Sequence, residues 1–162
     1  MSSSTRTVAI DLTWAGVTVH ADLLDGRAPA TCAAVWELAG REVPLEACHA
    51  IFSGRELGMH VPVDVARDIE IFDGIPPENH SAFPAPGDVM YQFCPSRQFG
   101  GFEGDVYDIS LCYGPDTRLL MPWGWSPANR FASVHYADRD TLAEVGSGMV
   151  RRGVEELVFR RT

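Results

Sequence analysis

The side chains able to do chemistry are dispersed along the chain. Histidines stand at positions 20, 49, 60, 80 and 135, and no two make the His-x-His or His-x-x-x-His spacing that aims two imidazoles the same way from a strand or helix. No metal or other cofactor is expected from that pattern. His49 and His80 are the candidate catalytic imidazoles, because an unperturbed imidazole exchanges its proton near neutrality. His80 closes the triplet Glu78-Asn79-His80 behind Pro76-Pro77, which makes Glu78 a candidate general base and Asn79 a ligand contact on the same loop.

All thirteen cations are arginine, and lysine is absent. Schiff-base chemistry, a phosphate-loop lysine and a Ser-Lys dyad are excluded with it. The cations left to a site are planar forks suited to carboxylate or phosphate. Arg55, beside Glu56, and Arg130, beside Asn129, are the candidate forks. Tyr91, Tyr107 and Tyr113 fall on three expected strands, and Trp123 and Trp125 flank a glycine, so these five rings are candidate pocket walls. Together they describe a polar-aromatic pocket for a small anionic metabolite, with binding and turnover both open.

With 162 residues, 46% of them apolar, one domain over 1–162 is expected. A net charge of −9 argues against a nucleic-acid partner, since clustered cations drive that association. The one basic cluster, Arg151, Arg152, Arg160 and Arg161, reads as the solvated face of a last strand and turn. No apolar run approaches the ~20 residues that span a bilayer. The polar start, Met1 to Arg6, does not read as a signal peptide, and a cytoplasmic location is expected. Cysteines at 32, 48, 94 and 112 make no Cys-x-x-Cys pair and read as reduced, buried apolar residues.

These groups must be positioned by mostly β elements. Thr7 to Leu12 and Val17 to Leu23 alternate about a turn at Trp14-Ala15-Gly16 and read as a hairpin. Pro29 opens a helix over about Ala30 to Ala39, with Cys32, Val35, Trp36 and Ala39 on one stripe and Gly40 as its stop. Ala47 to Ser53 reads as a strand buried on both sides, and Asp64 to Gly87 as a long irregular stretch. Asp88 to Cys94, Val106 to Tyr113, Phe131 to Tyr136 and Val154 to Arg160 are further strands. A second helix is expected over Asp138 to Arg151, capped by Asp138. The pattern predicts a closed β-barrel with about two helices capping its ends.

Several strings resemble the cyclophilin-like fold, and its bacterial branch of the DUF3830 type in particular. Ala28-Pro29-Ala30-Thr31 running to Trp36-Glu37-Leu38 is similar to the cyclophilin first helix, which opens Ala-Pro-x-Thr. Ala47-Cys48-His49-Ala50-Ile51-Phe52 stands where cyclophilins carry Phe-His-Arg-(Val/Ile)-Ile. Ser53-Gly54-Arg55-Glu56, Pro86-Gly87-Asp88-Val89-Met90-Tyr91 and Asp108-Ile109-Ser110-Leu111-Cys112-Tyr113-Gly114 are similar to strings of the bacterial branch. The arginine that polarises the prolyl amide in cyclophilin isomerases aligns with Ala50, while Trp125 and Arg130 fall loosely where cyclophilins have Trp and His. The resemblance therefore implies the fold without the isomerase chemistry. Prolyl isomerisation through Arg55 is the alternative, and an interaction subunit without chemistry, with exposed aromatics forming a homo-oligomer interface, is a third reading.

Overall fold

Alternation of apolar residues makes the first two strands. In the computed structural model, which describes residues 5–162, β1 (Thr7–Leu12) and β2 (Val17–Leu23) pair antiparallel with Ile10 opposite Val19. Residues 1–4 of the expected polar start lie outside the described residues. The helix α1 (Pro29–Arg41) follows, with Cys32, Val35, Leu38 and Ala39 buried. It runs past Gly40 to a left-handed Glu42, which corrects the expected stop. Gly40 serves a different need, since a Cβ there would lie 2.6 Å from the Arg161 guanidinium. That guanidinium donates to the Trp36 carbonyl and the Glu37 carboxylate, satisfying groups in the last turns of the helix.

The remaining elements in chain order are β3 (Pro44–His49), β4 (Glu56–Val61), α2 (Val63–Asp68), β5 (His80–Ser81), β6 (Asp88–Cys94), β7 (Val106–Cys112), β8 (Leu120–Met121), β9 (Gly124–Trp125), β10 (Ala128–Val134), α3 (Arg139–Gly148) and β11 (Val154–Arg161). Eight strands close in the order β2-β1-β11-β3-β4-β7-β6-β10, with β10 returning to β2 through Ala132 opposite Leu23. Closure leaves no open edge in the ring, and β5 adds only two residues beside β10. The short β8 and β9 form a separate hairpin. Inward residues of the ring form one core with α1 and α3. α1 packs where β11 ends, and α3 where β11 begins.

Several expectations shift. The strand expected at 47–53 is β3, ending at His49; residues 50–55 leave the sheet, and Ile51 and Phe52 are exposed rather than core. Cys48 is also exposed, because the inward positions of β3 are Leu45 and Ala47; Cys32, Cys94 and Cys112 are buried. The stretch expected to be irregular holds α2, a 3₁₀ turn at 70–72 and β5. The strand expected at 131–136 is β10, starting at Ala128, and the helical part of 138–151 is α3 flanked by 3₁₀ turns. Three of the tail arginines pair with carboxylates: Arg152 with Glu155, Arg160 with Asp11 and Arg161 with Glu37.

Candidate functional site

Strands β4, β7 and β6 lie side by side, and their period of two sorts their residues. Leu57, Met59 and Val61, Tyr107, Ile109 and Leu111, and Val89 and Tyr91 face the core. The alternate set faces outward: Glu56, Gly58 and His60 on β4, Asp108, Ser110 and Cys112 on β7, and Met90 and Gln92 on β6. An outward face ordinarily meets water, yet every residue of β7 is buried. Residues of the 50–53 segment together with Phe99 and Met121 wall a cavity over Asp108, while Leu119 and Ala128 pack on Met90 and Cys112.

A hydrogen-bonded chain runs through this covered face. Ser126 Oγ donates to Gln92 Oε1 at 2.7 Å, and Gln92 Nε2 donates to Asp108 Oδ2 at 3.1 Å. Ser110 Oγ approaches the same oxygen at 3.5 Å, whereas Oδ1 has only His60 Nε2, also at 3.5 Å. Glu56 is buried and accepts from Ser53 Oγ. Burial first, and the neighbouring Glu56 charge second, push the Asp108 carboxyl up to about 7, against the smaller opposing effect of its Gln92 and Ser110 bonds. Desolvation also pushes the His60 imidazole below its ordinary value, although half of its side chain stays open to solvent. Burial dominates both groups, so the 3.5 Å approach is not a strong ion pair.

Two cavities flank the chain. The smaller, about 160 Å³, is walled by His49, Ala50, Ile51, Phe52, Phe99 and Met121, with Glu56, Gly58, His60 and Asp108 on its polar side. The larger, about 300 Å³, includes Pro76, Pro77, His80, Tyr91, Gln92, Trp123, Trp125 and Ser126 in its lining. They adjoin: Gln92 faces the larger and bonds Asp108 of the smaller, and Phe99 of the smaller meets Trp123 of the larger edge-on, 5.4 Å between ring centres. A third depression, larger than either at about 490 Å³, continues over Cys48, Glu46 and Glu156. Among the described residues no three His, Cys, Asp or Glu side chains converge as metal ligands.

The residues expected from the sequence divide between these places and the scaffold. His49 and Glu56 line the smaller cavity, and His80, Trp123 and Trp125 line the larger, where Tyr91 contributes to the wall with its ring turned to the core against Phe72. His49 Nε2 meets the Tyr113 hydroxyl at 2.6 Å and its Nδ1 meets the Ala50 carbonyl at 2.8 Å; burial raises the Tyr113 hydroxyl, and the Arg55 charge opposes that rise. Tyr91 is buried, and its hydroxyl has no hydrogen-bond partner among the described residues. His80 Nε2 lies 2.7 Å from the Pro127 carbonyl.

Others are held by structural duties. Glu78 accepts from Thr31 N at 2.6 Å and Thr31 Oγ1 at 2.7 Å, so the expected base instead caps the start of α1, where Ala28 offers no side-chain cap. Asn79 takes a left-handed turn and donates to the Arg130 carbonyl. Tyr107 packs on Phe72 and donates to Asp73. Arg130 Nε donates to buried Asp88 at 2.6 Å and lines neither cavity; this expected anion fork is already occupied. Arg55 is exposed, lies against Gly114 and also lines neither cavity. The two arginines do not converge.

Asp108, Gln92, His60 and Ser126 were missing from the expected site. Two signals in the sequence point to His60 and Asp108: Glu56-Leu57-Gly58-Met59-His60-Val61 alternates cleanly, and Asp108 is a carboxyl in a strand whose other residues, Ser110 apart, are apolar or aromatic. A carboxyl at that position in a doubly buried strand calls for a partner or a proton.

A closed eight-stranded barrel with helices at both ends, carrying its polar site on the outer face of three strands, is a cyclophilin-like fold. The chain belongs to the DUF3830 family, described as "Protein of unknown function (DUF3830)", which matches residues 10–160. Among solved structures, McbB in complex with tryptophan is similar at 22% identity and a TM-score of 0.68, covering 96% of this chain and 44% of that one. The chain thus spans less than half the length of McbB. The mimivirus cyclophilin is similar at 14% identity and a TM-score of 0.59, covering 99% of this chain and 89% of that one. A cyclophilin-type peptidyl-prolyl cis-trans isomerase of Cryptosporidium parvum is similar at 10% identity and a TM-score of 0.52, covering 98% of each chain. No curated protein matches the chain by sequence. Among the described residues, no helix is long and apolar enough to cross a membrane.

Proposed function

We propose that this barrel binds a small molecule in the two adjoining cavities, the larger holding a flat ring against Trp123 and Trp125 and the smaller holding a polar group at Asp108. The observation that carries the reading is the Ser126–Gln92–Asp108 chain, which runs from the wall of one cavity to the wall of the other through buried side chains. A buried polar chain of this kind is rigid, and it fixes the orientation of the groups it presents to both cavities. Neither cavity has arginine in its lining, and the smaller has two carboxyls, so the ligand is neutral or cationic rather than anionic as the sequence suggested. The tryptophan in complex with McbB carries a ring and an ammonium beside its carboxylate, and the first two are features these cavities can receive. Free cysteines accord with a reducing, cytoplasmic setting.

Prolyl isomerisation is the second reading, favoured by the fold likeness. Against it, a methyl group stands at Ala50 in the smaller cavity, and Arg55 lies outside. Amide rotation has a barrier of ~18–20 kcal/mol, and without a cation aimed at the amide little of it is removed. A thermal-shift screen of tryptophan, aromatic amines and aromatic carboxylates tests the binding reading, since a ligand at 100 times its Kd stabilises by about 2.7 kcal/mol. Stabilisation by a ring compound, lost in Trp125→Ala, is the expected result. A screen without any hit, or acceleration of a proline-peptide assay abolished by Arg55→Ala, overturns the reading.

A further inference from the structure

We propose that Asp108 Oδ1 is the seat of an organic ammonium group. The inference rests on the small-molecule reading and names the chemical class of its ligand.

The geometry assigns the two carboxyl oxygens different tasks. Oδ2 is turned toward Gln92 Nε2 and the Ser110 hydroxyl, and Gln92 is itself fixed by Ser126, so the carboxyl plane is held from behind. Among the described residues Oδ1 has no hydrogen-bond donor within reach other than the loose approach of His60, and it lies past Gly58 at the smaller cavity. Gly58 has no positive φ and needs no glycine for its backbone. What glycine provides there is space, since the nearest atom to an added Cβ is Oδ1 itself, at 3.9 Å. The opening in front of Oδ1 is thus made by a missing side chain.

Charge completes the argument. Burial first, and repulsion from the Glu56 carboxyl on the same cavity second, hold the proton on Asp108 up to about 7. A bound ammonium offsets both. The proton leaves Asp108 for buffer, the O–H bond is exchanged for an N–H···O⁻ contact, and no other reactant is needed. The other titratable groups near Asp108 do not supply the positive charge. His60 on β4 is held below its ordinary value, the thiols of Cys48, Cys94 and Cys112 are pushed up by burial, and His49 is engaged by Tyr113 and Ala50. At about 160 Å³ the cavity admits the amine end of a ligand, leaving its ring to the neighbouring cavity.

Titration calorimetry with tryptamine and phenethylamine, in two buffers of different ionisation enthalpy, tests this at about pH 6 and about pH 8. Both amines stay cationic across that interval, so the expected tenfold weaker binding at the lower pH, with release of close to one proton there, comes from the protein. Asp108→Asn should remove both the proton release and the pH dependence, and Gly58→Ala should weaken binding in a folded protein. An amine that binds equally at both pH values, or without proton release, overturns this inference and leaves the small-molecule reading standing. So does a screen in which tryptophan or a carboxylate binds and neither amine does. If no compound binds at either pH, both fall.

Discussion

The two faces of strand β7 are equally buried and chemically opposite. Tyr107, Ile109 and Leu111 enter the barrel core, while Asp108, Ser110 and Cys112 turn outward beneath loop residues. Inward burial follows from the hydrophobic effect and needs no further cause. Outward burial sets a carboxyl, a hydroxyl and the amide of Gln92 in a low-dielectric layer, and the fold tolerates it because each finds a partner or keeps a proton. The comparison teaches that in this barrel burial by itself does not mark the core. Polarity under a covering loop marks the site.

Substitutions can break that contrast. Leu111→Ala should cost about 2–5 kcal/mol in urea unfolding, because a cavity opens in the sealed interior. Ser110→Ala, one residue away on the other face, should cost under about 1 kcal/mol, since its hydroxyl makes only a long bond at 3.5 Å. Equal losses would erase the distinction between faces.

Next in size is a pH effect. Folded Asp108 keeps its proton to about 7, whereas the unfolded chain releases it near the ordinary value of 3.8. Its contribution to stability is therefore full below the unfolded value and is lost as pH rises toward 7, at up to about 1.4 kcal/mol per pH unit. Asp11 and Asp22, held low mainly by their Arg160 and His135 bonds, act in the opposite direction at acid pH. The difference between wild type and Asp108→Asn isolates the Asp108 part. That difference should shift in the variant's favour between about pH 4 and pH 7 and level off above.

Glu78→Ala should cost about 1–2 kcal/mol by uncapping α1 while leaving ligand affinity intact, because Glu78 lines neither cavity. A large affinity loss in that variant would return Glu78 to the site. The smallest stability change, within about 0.5 kcal/mol, is expected for Trp125→Ala, whose ring is largely exposed. Its ligand affinity should nevertheless fall, so stability and binding separate at this residue.

Much of the ring was legible from alternation: β1, β2 and β6 fall where the apolar period of two places them, and Pro29 marks the start of α1. The barrel followed from the order of those elements. The site was only half legible. Trp123, Trp125, His80 and Tyr91 are conspicuous by type and do share a cavity. Arg55 and Arg130 are equally conspicuous, but residue type does not reveal that Asp88 already holds Arg130. Strand β4 was lost because the apolar Ile51-Phe52 pair draws the strand forward, whereas in the structure those two side chains are exposed beside the cavity. Asp108 sits inside a largely apolar run, and its cross-strand neighbours Gln92 and His60 come from other strands that only register brings near.

The central claim is that Asp108 is a buried, proton-bearing carboxyl facing a cavity. A ¹³C-NMR titration of aspartate-labelled protein, with Asp108 assigned by its loss in Asp108→Asn, measures this directly. A midpoint near 7 is the predicted result. A midpoint near 4 or below, the range of a solvated or ion-paired aspartate, would contradict it.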